Sequence, residues 1–159
     1  MTEITQHPLG EGIHFWSIYN PYFKTVRISV HFILPLEKEK AAARTLLPFV
    51  MCRSSKEYPD FTKLSQRLAE LYGADLHADT QKVGDTHVTS LTVSSLADRY
   101  TLNQEHLALE LTRLLCSVIF DPPWDAEHCF SQENFHQEQR QALEMIDAEY
   151  NDKRMYAKQ

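Results

Sequence analysis

The sequence predicts an α+β domain with a mostly antiparallel sheet and helices packed on one face. Its β-branched and aromatic runs come in neighbouring pairs separated by turn residues, as in hairpins, not singly between helices as βαβ crossovers require. The helical stretches carry apolar residues at helical spacing, and the whole chain has only four glycines. Its 159 residues are 43% hydrophobic and include eight Phe, seven Tyr and two Trp. That is enough apolar area to offset the ordering entropy of one domain at about 25 cal/mol per Å² buried.

Taken in order, Ile13 to Tyr19 and Lys24 to Leu34 read as two adjacent strands after a polar leader, and Asn20-Pro21 between them suggests a hairpin. Leu36 to about Ser55 gains helix formers, with Pro48 inside; lacking an amide donor, it should kink the helix at Arg44. Asp60 caps a second helix with Phe61, Leu64, Leu68 and Leu71 on one stripe and Gly73 as its left-handed stop. Asp75 to Val83 and Thr86 to Leu96, joined by Gly84-Asp85, read as a second hairpin. Asn103 is the expected cap of a helix through Leu107, Leu111, Leu114, Leu115 and Val118, ended by Asp121-Pro122-Pro123. From about Asp125 onward one long polar helix is expected, with an apolar stripe of Phe135, Ala142, Leu143, Ile146 and Tyr150. It has no stop signal before Gln159, so residues 1–159 read as a single domain truncated at its C-terminal end.

Charge and composition exclude several classes. Sixteen basic against 22 acidic residues give a net charge of −6, and the basic residues are scattered, which disfavours a nucleic-acid partner. The longest apolar stretches, Ile28 to Leu36 and Leu114 to Phe120, fall short of the roughly 20 residues a bilayer requires, so no membrane partner is expected. The opening residues lack the basic and apolar regions of a secretory signal, pointing to the cytoplasm. Cys52, Cys116 and Cys129 form no CxxC pair and read as reduced thiols.

No phosphate-binding glycine loop, GxSxG or kinase signature is present. Glu105-His106 and Glu127-His128 are half-matches to HxxEH, but Leu102 and Trp124 stand where the first ligand belongs. On the last helix Cys129, Glu133 and His136 share a face within about 60°, though about 10 Å of rise separates the ends, so an ordinary mixed-polarity helix is the stronger reading. His14 with His31 and His77 with His87 read as hydrogen-bonded, half-buried strand histidines. Arg53 beside Cys52 could lower that thiol's pKa, against the simpler reading of a small buried apolar residue. Cys116, in LLCSVIF, reads as core.

The segment from PFVMCRSSKEYPDFTKLSQRLAELYGADLHADTQKV through GDTHVTSLTVSSLADRY has a distinctive order: helix, Tyr58-Pro59 turn, helix ending in Leu-Tyr-Gly-Ala, hairpin. In this the chain resembles, from about Gly12 to its end, the N-terminal half-domain of the insulinase/pitrilysin family of zinc peptidases, a fold of the LuxS/metallohydrolase-like type. Counting back from Tyr58-Pro59, the resemblance places the family's HxxEH on Thr45-Leu46-Leu47-Pro48-Phe49, with Thr45, Pro48 and Phe49 in place of the two histidines and the glutamate. It places the family's third ligand on Glu144, in ALEMIDAEYND; read from the residues alone, Glu144 is a solvated carboxylate about 180° from Phe135.

A catalytic zinc needs three protein donors and an open position for water, which threonine, proline and phenylalanine do not provide. Neither a catalytic residue nor a cofactor is therefore expected. With its LLPFV segment and its Asn151-Asp152-Lys153 and Tyr156-Ala157 run, the chain is similar to the family's non-catalytic bacterial subunits. That resemblance implies a heterodimer with an active zinc peptidase sibling, closing like a clam shell around a peptide. It also implies a gene neighbourhood connected with modification of translation elongation factor P. The alternatives are a divergent metal-dependent peptidase with a site rebuilt around Glu144, Glu133 or His136, and a plain interaction scaffold.

Overall fold

A computed structural model describes residues 2–127 and 129–151, with the side chains of 149–151 left aside. Tyr150 of the expected stripe, His128 of the second half-match, and the Asp152-Lys153 and Tyr156-Ala157 positions lie outside what is described. The elements are strands β1 (Glu3–Gly10), β2 (Ile13–Tyr19) and β3 (Thr25–Pro35), helices α1 (Lys38–Met51) and α2 (Phe61–Glu70), and strands β4 (Asp75–Val83) and β5 (Thr86–Leu96). A 3₁₀ turn (Asp98–Tyr100) then leads to helices α3 (Leu107–Phe120) and α4 (Gln132–Asn151). The class is α+β, as the pairing of runs predicts.

Strand β5 is the centre of a three-stranded antiparallel sheet of order β3-β5-β4. A turn at Gly84, whose φ is +59°, sets the β4–β5 register, with Val83 opposite Thr86 and Leu76 opposite Val93. The pleat divides β5 into two faces. Leu91 and Val93 point into the core with Val26, Ile28 and Val30 of β3 and Leu76 of β4. Against them pack Leu107, Leu111, Leu114, Leu115 and Val118, the stripe that the spacing of α3 predicts, all at most 2% exposed. Leu64 of α2, Leu71 just past its end and Met51 at the end of α1 join the cluster, so α1, α2 and α3 cover one face of the sheet. Ser95, buried on that same face, donates from Oγ to the Leu71 carbonyl at 2.7 Å and so satisfies a helix-end acceptor that would otherwise lie orphaned.

The start of α2 follows the sequence closely, since Asp60 accepts at 2.8 Å from the Lys63 amide. Its end differs in one respect: Tyr72 at φ +59° and Gly73 at φ +67° are both left-handed, so the chain turns through two such residues, not one. Helix α1 runs unbroken through Pro48, whose carbonyl still accepts from the Cys52 amide at 3.1 Å.

Several expectations are corrected. The stretches now seen as β2 and β3 do not pair with each other: β2 pairs with β1, formed from the supposed leader, and β3 pairs with β5. Asn103 caps nothing. Helix α3 begins after His106, and its Ala108 amide is taken at 2.8 Å by Asp98 Oδ1 from the preceding 3₁₀ turn. The last helix starts at Gln132, not near Asp125, whose carboxylate instead accepts from the Glu127 and Cys129 amides and closes a turn. Cys116 is exposed, not core, because it lies on the side of α3 away from Leu111, Leu114 and Val118. The α4 stripe of Phe135, Leu143 and Ile146 is exposed as well.

Leu111 is wholly buried at the centre of α3. Leu111→Ala is expected to cost about 3 kcal/mol, by lost transfer free energy plus a cavity, and Asp60→Ala about 1 kcal/mol, both read by chemical denaturation.

Candidate functional site

Helix α1 is where the sequence resemblance directs attention, and its first turn is tied down by charge. Arg44 reaches back to donate to the Pro35 carbonyl at 2.7 Å and to Glu37 Oε1 at 2.6 Å, while hydrogen bonds from Lys40 and then Arg44 hold the Glu37 carboxyl below its ordinary value. One turn further along, the three positions assigned to HxxEH diverge in environment: Thr45 is exposed, Phe49 is half-buried and Pro48 is fully buried. The imino acid is thus a packing residue, its ring shut off from solvent.

Glu144 stands on α4 with its side chain 69% exposed, and Arg140 Nε lies 3.8 Å from its carboxylate. Thr45, Pro48 and Phe49 supply no strong metal donor to accompany it. Glu133 and His136 line a shallow depression with Gln137 and Arg140, where the guanidinium opposes a cation. Cys129 lies before α4, not on it, with its Sγ 3.6 Å from the Glu127 carbonyl, so the shared helical face expected for these three residues does not exist. No group of three or more His, Cys, Asp and Glu able to hold a metal occurs among the described residues.

The strand histidines separate. His31 Nδ1 meets Ser90 Oγ at 2.7 Å, His77 Nδ1 meets Asp75 at 2.6 Å, and His14 lies 3.4 Å from Gln6, all three being exposed and not half-buried. His87 is buried, and its Nε2 has no hydrogen-bond partner among the described residues. His31 and His77 belong to the sheet face opposite the helices, where register aligns Arg27 with Ser94 and Asp75, Ser29 with Thr92 and His77, and His31 with Ser90 and Asp79. This face is polar across all three strands, with Ser29 and Thr92 bridged hydroxyl to hydroxyl at 2.9 Å. Alternation in HVTSLTVSSL carried that signal, but only the register shows which residues meet.

What sequence reasoning missed is the join between α1 and α4. Arg53, just past α1, makes an ion pair with Glu138 of α4, both side chains being about nine-tenths buried, and its guanidinium stacks 4.8 Å above Phe61. Beside it Asn134 donates to Ser54 Oγ at 3.3 Å. Cys52 lies against this pair. Burial first, and then the Glu138 charge, push its thiol up to about 12, the reverse of activation by Arg53. The sign for stability follows. Below the thiol's ordinary 9.0 it is neutral folded or unfolded; between there and about 12 only the unfolded chain ionises, so stability falls across that window. Cys52→Ala is expected to flatten this alkaline loss, measured as the difference between the two proteins' denaturation midpoints from neutral pH upward.

No family model matches the chain. It is similar to the probable inactive metalloprotease YmfF of Bacillus subtilis (strain 168), with 33% identity over 135 residues, 85% of this chain and 32% of the relative. It is also similar to a conserved protein from Enterococcus faecalis V583 whose crystal structure superposes with a TM-score of 0.88 at 32% identity, over 98% of this chain and 36% of that one. The chain therefore spans about a third of the length of these relatives. Identity at this level over 85% of the chain, joined to the α+β order, makes it a homologue of this probable inactive metalloprotease and supports its resemblance to the insulinase family.

Proposed function

We propose that this protein is a non-catalytic subunit that pairs with an active zinc peptidase of its own family in the cytoplasm and supplies cavity wall and peptide-binding surface in place of catalytic groups. The observation that carries the reading is α1: where the resemblance puts a histidine-glutamate-histidine set, a threonine faces solvent and a proline is fully buried. The relative termed inactive supports the same reading. No helix among the described residues is long and apolar enough to cross a membrane. On this reading residues 1–159 form one half-domain of a shell that closes around peptide, and elongation factor P modification is the process it would serve.

The β1–β2 hairpin supports association with another protein surface. Two-stranded sheets are marginal alone, and this one carries Ile4, Leu9, Ile13, Trp16 and Ile18 at 58–68% exposure, distributed over both faces. Ile4, Trp16 and Ile18 share one face and Leu9 with Ile13 the other, so both faces present apolar side chains to solvent.

Three outcomes test the proposal. Elemental analysis of the purified protein is expected to find no stoichiometric zinc, and peptide assays no cleavage; one tight zinc per chain contradicts it. Pro48→Glu is expected to lower stability by about 3 kcal/mol or more without creating a metal site, because it buries an unpaired carboxylate. Co-expression with the active sibling is expected to yield a heterodimer that Trp16→Glu weakens at least about tenfold, since a central aromatic anchor carries much of an interface's energy. Unchanged affinity in that variant removes the hairpin from the interface.

A further inference from the structure

Helix α4 is attached in an unusual way. Of its described side chains only Glu138 is buried; Asn134, Gln137 and Ala142 are half-buried, while Phe135, Leu143, Met145 and Ile146 are 41–66% exposed. Its principal neighbour is α1, and the hydrogen bonds and ion pair that join it to the end of that helix are Arg53 with Glu138 and Ser54 with Asn134. A surface helix is ordinarily held by its apolar stripe. Here the stripe is turned away and the polar side does the holding.

We propose that α4 is a strap latched to the end of α1 by the buried Arg53–Glu138 pair, and that it lifts as a unit when this latch opens, uncovering Cys52. The physical basis is the asymmetry of a buried ion pair. Intact, it adds little beyond what its desolvation costs; with one partner removed, the other is left charged and unpaired in a dry place, and the structure escapes by exposing it. An apolar interface would loosen gradually as contacts were trimmed, whereas a latch of one charge pair has two states. Among the described residues none of the core cluster comes from α4, so the packing of α2, α3 and β5 stands apart from it. Lifting is therefore a local opening that leaves the sheet intact. Lifting also frees both sides of α4, the latch side and the already exposed Phe135, Leu143 and Ile146 stripe, for a different packing.

The full chain carrying Cys116→Ser and Cys129→Ser leaves Cys52 as the sole thiol, a reporter for the lift. Arg53→Leu in that background is expected to speed labelling of Cys52 by an aromatic disulfide reagent at neutral pH by at least about tenfold, equivalent to ~1.4 kcal/mol of easier opening. In the same protein the amides of α4 should exchange faster while those of β5 keep their protection. A helix that stays down predicts the opposite sign for the thiol: it remains covered, and Glu138 remains charged beside it with its counter-ion gone, so labelling is no faster. Unchanged or slower labelling overturns the proposal, as does loss of protection in α4 and β5 together. Should Arg53→Leu fail to fold, hydrogen exchange on the unsubstituted chain decides. Opening of α4 at lower free energy than β5 supports the strap, and a shared opening free energy overturns it.

Discussion

Packing of Leu91 and Val93 on the Leu111–Leu115 face of α3 is the contact from which the rest of the fold takes its position. Strand β5 is paired on both edges, so its backbone polar groups are spent in two ladders. Its side chains decide which face of the sheet faces oil and which faces water. Because the side-chain period is two, a slip of one residue would bring Ser90, Thr92 and Ser94 against the leucines and put Leu91 and Val93 into solvent. Register is thus fixed by burial, and through it so are the hydroxyl pairs on the far face and the distance of α1 from the sheet.

That fixed frame explains why α1 tolerates a proline inside it. A proline inside a helix removes a donor, at a cost of about 3 kcal/mol in an exposed position. At position 48 the ring is fully buried, so apolar burial offsets part of that cost. A helix that had to present two imidazoles and a carboxylate on one face would have no such freedom. In the turn that follows, Arg53 and Ser54 become the seat of α4.

How far this was legible in the sequence depends on the range of each interaction. The α3 stripe, the Asp60 cap and the Gly84-Asp85 turn are local, and each could be read from spacing alone. The pairing of β2 could not: β1 is polar, contains Pro8 and ends in Gly10, and composition hid it as a leader. Asn103 lost to Asp98, whose carboxylate reaches an amide ten residues ahead, beyond any cap offset a sequence displays. Exposure of Cys116 was available from the period of its neighbours and was masked by an apolar run. The Arg53–Glu138 pair spans 85 residues and had no signal at all; Glu138 looks like one more solvated carboxylate on a charged helix.

The two apolar surfaces left uncovered, the β1–β2 hairpin and the α4 stripe, differ in what holds them. Among the described residues the hairpin is held by its own ladder and the short Asn20 to Phe23 turn, where the Phe23 amide meets the Asn20 carbonyl at 3.1 Å and Arg99 donates to the Pro21 and Phe23 carbonyls. Its apolar side chains bring no stability where they stand. Helix α4 is anchored by charge while its stripe faces out. Surfaces of this kind are costly in water and inexpensive once covered, at about 25 cal/mol per Å². The body of the domain is complete without them, since its core comes from β3, β4, β5 and the first three helices. Stability of the fold and disposition of these two elements are therefore separable, and both apolar surfaces can change their surroundings while the sheet and its helices stay as they are.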